Sequence, residues 1–161
     1  MQSLVQRFYA ISTQPFETVI TRLEAAVGHP DINTLRKEMA AANTHNELKQ
    51  VVRNAVGPSG LMEFLRFDIG AVNRRVQRTE TPRSMRFLIG NPLIMQQMVV
   101  HVPDAASYAP VTVLIDERAD GVHLSYDSMV GFLAPYGNAP ALKVAQELDL
   151  KIEAMLTAVA T

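Results

Sequence analysis

The chain has 161 residues, the size of one ordinary domain, since compact domains cluster near roughly 100–150 residues. It has no cysteine and no tryptophan, which excludes a disulfide framework, thiolate-held zinc or iron–sulfur centres and a thiol nucleophile. With 15 Lys and Arg against 16 Asp and Glu the formal charge is −1. No global field therefore draws the protein onto nucleic acid or an acidic membrane.

The first twelve residues carry one basic residue, Arg7, and no continuous apolar stretch, unlike a signal peptide. No run of 18 apolar residues occurs anywhere, so no membrane span is expected and the cytoplasm is the simplest address. A single domain over residues 1–161 is expected, without internal repeats.

Alternating residues from Leu4 onward predict a strand that ends at Ser12. Pro15 then suits a first helical turn, and Phe16, Val19, Ile20, Leu23 and Val27 recur at helical steps until Gly28-His29-Pro30 stops them. Asp31 can cap a second helical region that runs to Val56, interrupted at Asn43-Thr44-His45-Asn46, as one broken helix or two short ones. Gly57-Pro58-Ser59-Gly60 ends it, and residues 61–69 read as a strand. Strict alternation would put Glu63 beside Leu65 and Phe67 on one face, opposite Met62, Phe64, Arg66 and Asp68.

Residues 71–84 are the most polar stretch and read as a loop or hairpin tip around Thr81-Pro82. Residues 85–89 resume strand character, and Asn91-Pro92 opens a helix that ends at Pro103-Asp104. Residues 110–116 and 122–126 form the clearest hairpin, joined through Asp120-Gly121. A short helical turn follows Asp127-Ser128. Asn138 then caps the longest helix, whose stripe is Val144, Leu148, Ile152, Met155 and Val159. Five strands with intervening helices predict an α+β fold, a two-layer sandwich of one antiparallel sheet with helices on one face.

The residues that carry chemistry are few. The four histidines lack metal-pair spacing, and no nucleophile elbow or phosphate loop is present, so no metal site or catalytic residue is assigned and no cofactor is implied. Asp116, Glu117, Asp120 and Asp127 cluster at the hairpin, where turn and cap chemistry explains them better than a shared cation or proton site does. Arg74, Arg75 and Arg78, with Arg83 and Arg86 nearby, form a candidate anion-binding cluster. The alternative is a solvated hairpin whose arginines pair with Glu63, Asp68 or Glu80.

The runs RFLIGNPLIMQQM (86–98), VTVLIDE after Tyr108-Ala109-Pro110, Ser125-Tyr126-Asp127 and VAQELDLKIEAML (144–156) resemble the bacterial and archaeal family called domain of unknown function 302. The likeness extends to most of the chain when residues 15–27 are matched to the family's first helix. It implies a two-layer sandwich of the TATA-binding-protein-like type and a homodimer, with no established activity and no catalytic residues to carry over. The helical stretch Asp31 to Val56 looks like an insertion, and Met129-Val130 stands where the family has a Pro-Ser type of sequence.

The function expected from these features is a non-catalytic, dimeric module that holds a small or anionic ligand between sheet and helices. Arg86, Asn91, Tyr108, Tyr126 and Asp127, at strand ends and helix starts, are its candidate contacts. A structural or regulatory protein–protein interaction domain is the alternative, and an acid–base enzyme ranks third. No nucleic-acid partner is expected.

Overall fold

The helix starts fix much of the architecture. In a computed structural model, which describes residues 4–78 and 81–161, the Asp31 carboxylate accepts from the Thr34 amide at 2.7 Å. Thr44 and Glu47 form a reciprocal capping box, Asn91 accepts from Leu93, and Asn138 accepts from Ala141. Each such side chain satisfies an amide that the helix leaves unbonded.

Among the described residues there are five strands, β1 (Arg7–Ser12), β2 (Met62–Asp68), β3 (Ser84–Gly90), β4 (Val111–Arg118) and β5 (Gly121–Asp127). They form one antiparallel sheet in the order β1-β5-β4-β3-β2. The α-helices are α1 (Phe16–Ala26), α2 (Ile32–Ala41), α3 (His45–Ala55), α4 (Ile69–Gln77), α5 (Pro92–Val99), α6 (Met129–Leu133) and α7 (Ala139–Ala160). No described helix is long and apolar enough to cross a membrane. The polar break separates α2 from α3, with His45 and Asn46 already in the first turn of α3.

One sheet face carries the alternate residues Phe87, Ile89, Val113, Ile115, Leu124 and Tyr126, all buried, against Leu23 of α1, Met98 of α5 and Leu148, Ile152 and Leu156 of α7. That face and its helices make the two-layer sandwich. A small second core of Leu35, Val52 and Met62 seats α2 and α3 at the β2 side.

Two expectations are corrected. Residues 69–77 are helix α4, not loop: Asp68 ends β2 and its carboxylate accepts from Ala71 at 2.7 Å, capping a new helix directly off the strand. The Arg74–Arg75–Arg78 segment is therefore helical up to Arg78, whose left-handed backbone (φ 54°) closes the helix. Glu80, offered above as an ion-pair partner, lies outside the described residues.

The simple alternation of β2 also fails, because a bulge between Glu63 and Leu65 adds one residue. Glu63 now lies opposite Ile89 and Arg66 opposite Phe87, on the helix side of the sheet. There the Arg66 guanidinium binds Glu63 at 2.6 Å and Glu24 of α1 at 2.7 Å, and it sits 5.2 Å from the Phe87 ring centre. Leu65 and Phe67 stay on the other, uncovered face.

The ends of α1 and α3 cross at Gly28 and Gly57, both of whose amides donate to the Leu61 carbonyl at 2.9 Å. A Cβ on Gly28 would stand 1.9 Å from the Ala55 carbonyl oxygen, and one on Gly57 would stand 2.4 Å from the Val27 carbonyl carbon. Backbone, not side chain, blocks both positions, so neither clash can relax by a rotamer change. Gly28→Ala is expected to destabilise the fold by about 3 kcal/mol or more. A urea midpoint equal to that of the unsubstituted protein would show that the crossing tolerates a side chain.

Candidate functional site

Beyond Asp127 the chain leaves the sheet at a corner built on one buried carboxylate. Asp149 of α7, only 7% exposed, accepts from the Tyr126 hydroxyl at 2.6 Å and the Met129 amide at 2.8 Å on one oxygen. Its other oxygen accepts from the Ser128 hydroxyl at 2.5 Å and the Val130 amide at 3.1 Å. Four donors offset the cost of burying the charge. Burial and the neighbouring Asp149 charge push the Tyr126 phenol far above its ordinary range, so it stays a donor.

Successive strand residues face opposite ways, so with Tyr126 turned to the helices Asp127 emerges on the uncovered face. There it meets Arg7 of β1 in a two-bond pair at 2.5 and 2.8 Å. Arg86 of β3 shares that face. It is exposed, forms no ion pair among the described residues, and donates to the Thr112 hydroxyl at 3.3 Å.

Three concavities share walls along this face. One of about 160 Å³ is lined by Arg7, Arg86, Thr112, Tyr126 and Asp127 among others. The next, about 380 Å³, keeps Arg86, Thr112 and Asp127 and adds Leu88, Ser107, Tyr108 and Pro110. Leu88 and Pro110 lead into a cleft of about 650 Å³ between α2, α5 and the end of the sheet, walled by Leu35, Met39, Phe64, Met95 and Met98. Phe64 is the residue the β2 bulge inserts. Arg36 is the only charged side chain in that lining.

Of the five candidate contacts, Arg86, Tyr108 and Asp127 share the middle concavity. The Tyr108 ring stacks on Phe132 with centroids 4.7 Å apart, and its hydroxyl meets that of Tyr136 at 3.2 Å. Tyr126 belongs to the smallest concavity, while its hydroxyl is spent on Asp149 on the far side of the sheet. Asn91 stands in the wall of the apolar cleft, with its amide nitrogen donating to the Gly60 carbonyl at 3.0 Å.

Arg74, Arg75 and Arg78 line neither concavity that contains Arg86. Arg74 pairs with Asp68 at 3.4 Å, and Arg75 and Arg78 are exposed at the end of α4. The hairpin carboxylates disperse into separate pairs, Asp116 with Arg118, Glu117 with Arg83 and Asp120 with His123. The Arg83 guanidinium holds the Glu117 carboxyl below the usual carboxylate range. No group of three metal-ligating side chains occurs among the described residues.

Arg7, Thr112 and Phe64 escaped the sequence reading. Arg7 sits 120 residues from Asp127, and only the sheet order brings them together. Phe64 needs a bulge that no local signal marks.

The architecture is a two-layer α+β sandwich whose uncovered sheet face carries a groove. The family model described as "Domain of unknown function DUF302" matches residues 37–159, and the chain belongs to that family. A crystal structure of an uncharacterized conserved DUF302 protein from Bacillus stearothermophilus superposes with a TM-score of 0.67 at 9% identity, covering 96% of this chain and 98% of the other. No curated protein matches the sequence.

The Asp149 corner has a direct test. Asp149→Ala strands two amides and two hydroxyls inside the protein and is expected to cost about 3–5 kcal/mol. A denaturation midpoint close to that of the unsubstituted protein would mean that the corner holds itself.

Proposed function

We propose that the protein is a non-catalytic binding module for a small amphiphilic acid. The observation that carries this reading is the continuity of the exposed, unpaired Arg86 with the apolar cleft through the shared walls Leu88 and Pro110. One guanidinium fork suits one carboxylate, and an adjoining apolar cleft of this volume suits its tail. Asp127, the carboxylate of the groove, is held by Arg7, which leaves no free carboxylate beside Arg86 in that lining among the described residues.

β3 is the ruler of the site. Arg86, Leu88 and Gly90 lie on one face of it, so head and tail sites are roughly 13 Å apart at the usual rise. A saturated chain of about ten carbons covers that span at ordinary C–C lengths. The flexible thioethers of Met39, Met95 and Met98 adapt to such a chain without fixing one shape.

Titration calorimetry with dodecanoate, acetate and dodecanol tests the reading. Dodecanoate is expected to bind best, with affinity falling about tenfold or more in Arg86→Gln and falling again in Met95→Trp, which fills the cleft. Dodecanol binding as tightly as dodecanoate, or indifference to both substitutions, would overturn it.

A second reading, self-association, rests on β1. It is an end strand, and Leu4, Val5, Tyr9 (53% exposed) and Ile11 (51% exposed) leave apolar surface along it. A second copy paired along this edge covers them and leaves the groove open at β3 and β4. Native mass spectrometry is expected to show a dimer that Tyr9→Lys with Ile11→Lys converts to monomer. A monomeric unsubstituted protein would sink this reading.

A further inference from the structure

A separate concavity of about 690 Å³ lies between α1, α7 and the loop 57–60. Among the described residues its polar lining consists of Arg22, Ser59 and Lys151, with no carboxylate. Neither Arg22 nor Lys151 forms an ion pair among the described residues, and Nη1 of Arg22 is buried without a hydrogen-bond acceptor. The other half-buried arginines among the described residues each have a carboxylate partner, Arg66 with Glu63 and Glu24, Arg74 with Asp68, and Arg83 with Glu117 and Glu17. Nη1 itself is closed to a ligand, but an anion on the rest of the half-buried guanidinium would supply the counter-charge it lacks.

The supports of this site are fixed. The Ser59 amide donates to the Ala26 carbonyl at 3.0 Å, which ties the loop to the end of α1. The Ser59 hydroxyl oxygen accepts from the Leu61 amide at 3.3 Å, leaving its proton to donate outward. The Lys151 ammonium lies 3.4 Å from where a Cβ on Gly60 would stand, so the exposed lysine reaches over the loop. The remaining wall is apolar, with Ala25, Pro58, Ala154 and Met155.

We infer that this concavity is a second binding site and takes a phosphate monoester. Two unpaired cations and a hydroxyl donor match a dianionic head, whereas Arg86 offers one cation. The apolar wall matches the organic part of the ester. The inference does not depend on the groove around Arg86, because the two linings share no residue.

The experiment is titration of the full chain with phenyl phosphate and with inorganic phosphate, followed by heats and by amide chemical shifts. Phenyl phosphate is expected to bind more tightly than phosphate, with affinity falling about tenfold or more in Lys151→Gln and in Arg22→Gln and unchanged in Lys143→Gln, an exposed position elsewhere on α7. Lys151 is exposed, so its substitution leaves a folded protein even if that of Arg22 does not. Equal binding of the two probes would overturn the ester assignment. Absence of saturable binding, or loss of binding in Arg86→Gln alone, would overturn the site.

Discussion

The four hydrogen bonds to Asp149 determine where the rest of the molecule stands. They hold α7 against the end of β5 and supply acceptors for the first amides of α6, a helix too short to form on its own account. The same corner fixes the phase of β5. With Tyr126 locked inward on Asp149, Asp127 must face outward, where it takes the Arg7 guanidinium and seats β1 as the last strand. The Ser128 amide adds a bond to the Gln6 carbonyl at 2.8 Å, so the corner grips the chain before β1 as well. A carboxylate on the C-terminal helix thereby positions an N-terminal strand that it does not touch.

Ion pairing then sorts the arginines into two kinds. Arg7, Arg66, Arg83 and Arg118 each meet a carboxylate at 2.7 Å or less and join elements distant in sequence or steady a hairpin. Such pairs in partial solvent contribute little stability one at a time, and their value here is geometric. Arg86, Arg22 and Arg36 are different. Each lines a concavity, and none has an ion-pair partner among the described residues. The near-neutral total charge hides this distribution, because a balanced count says nothing about which cations are spoken for.

Much of the fold was legible because it is written locally. The strand ending at Ser12, the caps at Asp31, Asn91 and Asn138, and the hairpin closing through Asp120-Gly121 each depend on a few adjacent residues. What escaped depends on contacts across the sheet or on one residue with two roles. Asp68 looks like a strand residue and is also a helix cap, so α4 passed for a loop. The β2 bulge reverses the face of Glu63, and only its pairing with β3 shows that. The candidate groove was half legible. Arg86, Tyr108 and Asp127 flank strand ends and do converge, but Arg7 and Thr112 join them through tertiary pairing, and the polar Arg74–Arg78 segment stands apart.

Placement of both candidate sites depends on the Gly28–Gly57 crossing. By letting two backbones touch, it brings the loop 57–60 against α1, where Ser59 enters the concavity with Arg22. The same loop presents the Gly60 carbonyl to the Asn91 side chain at 3.0 Å, and Asn91 starts α5, one wall of the apolar cleft. Asn91 thus caps a helix with its oxygen and anchors that helix to the loop with its nitrogen. Both polar atoms of its side chain thereby fix the position of α5. A residue singled out because it lies at a helix start is also the strut that ties that start to the loop 57–60.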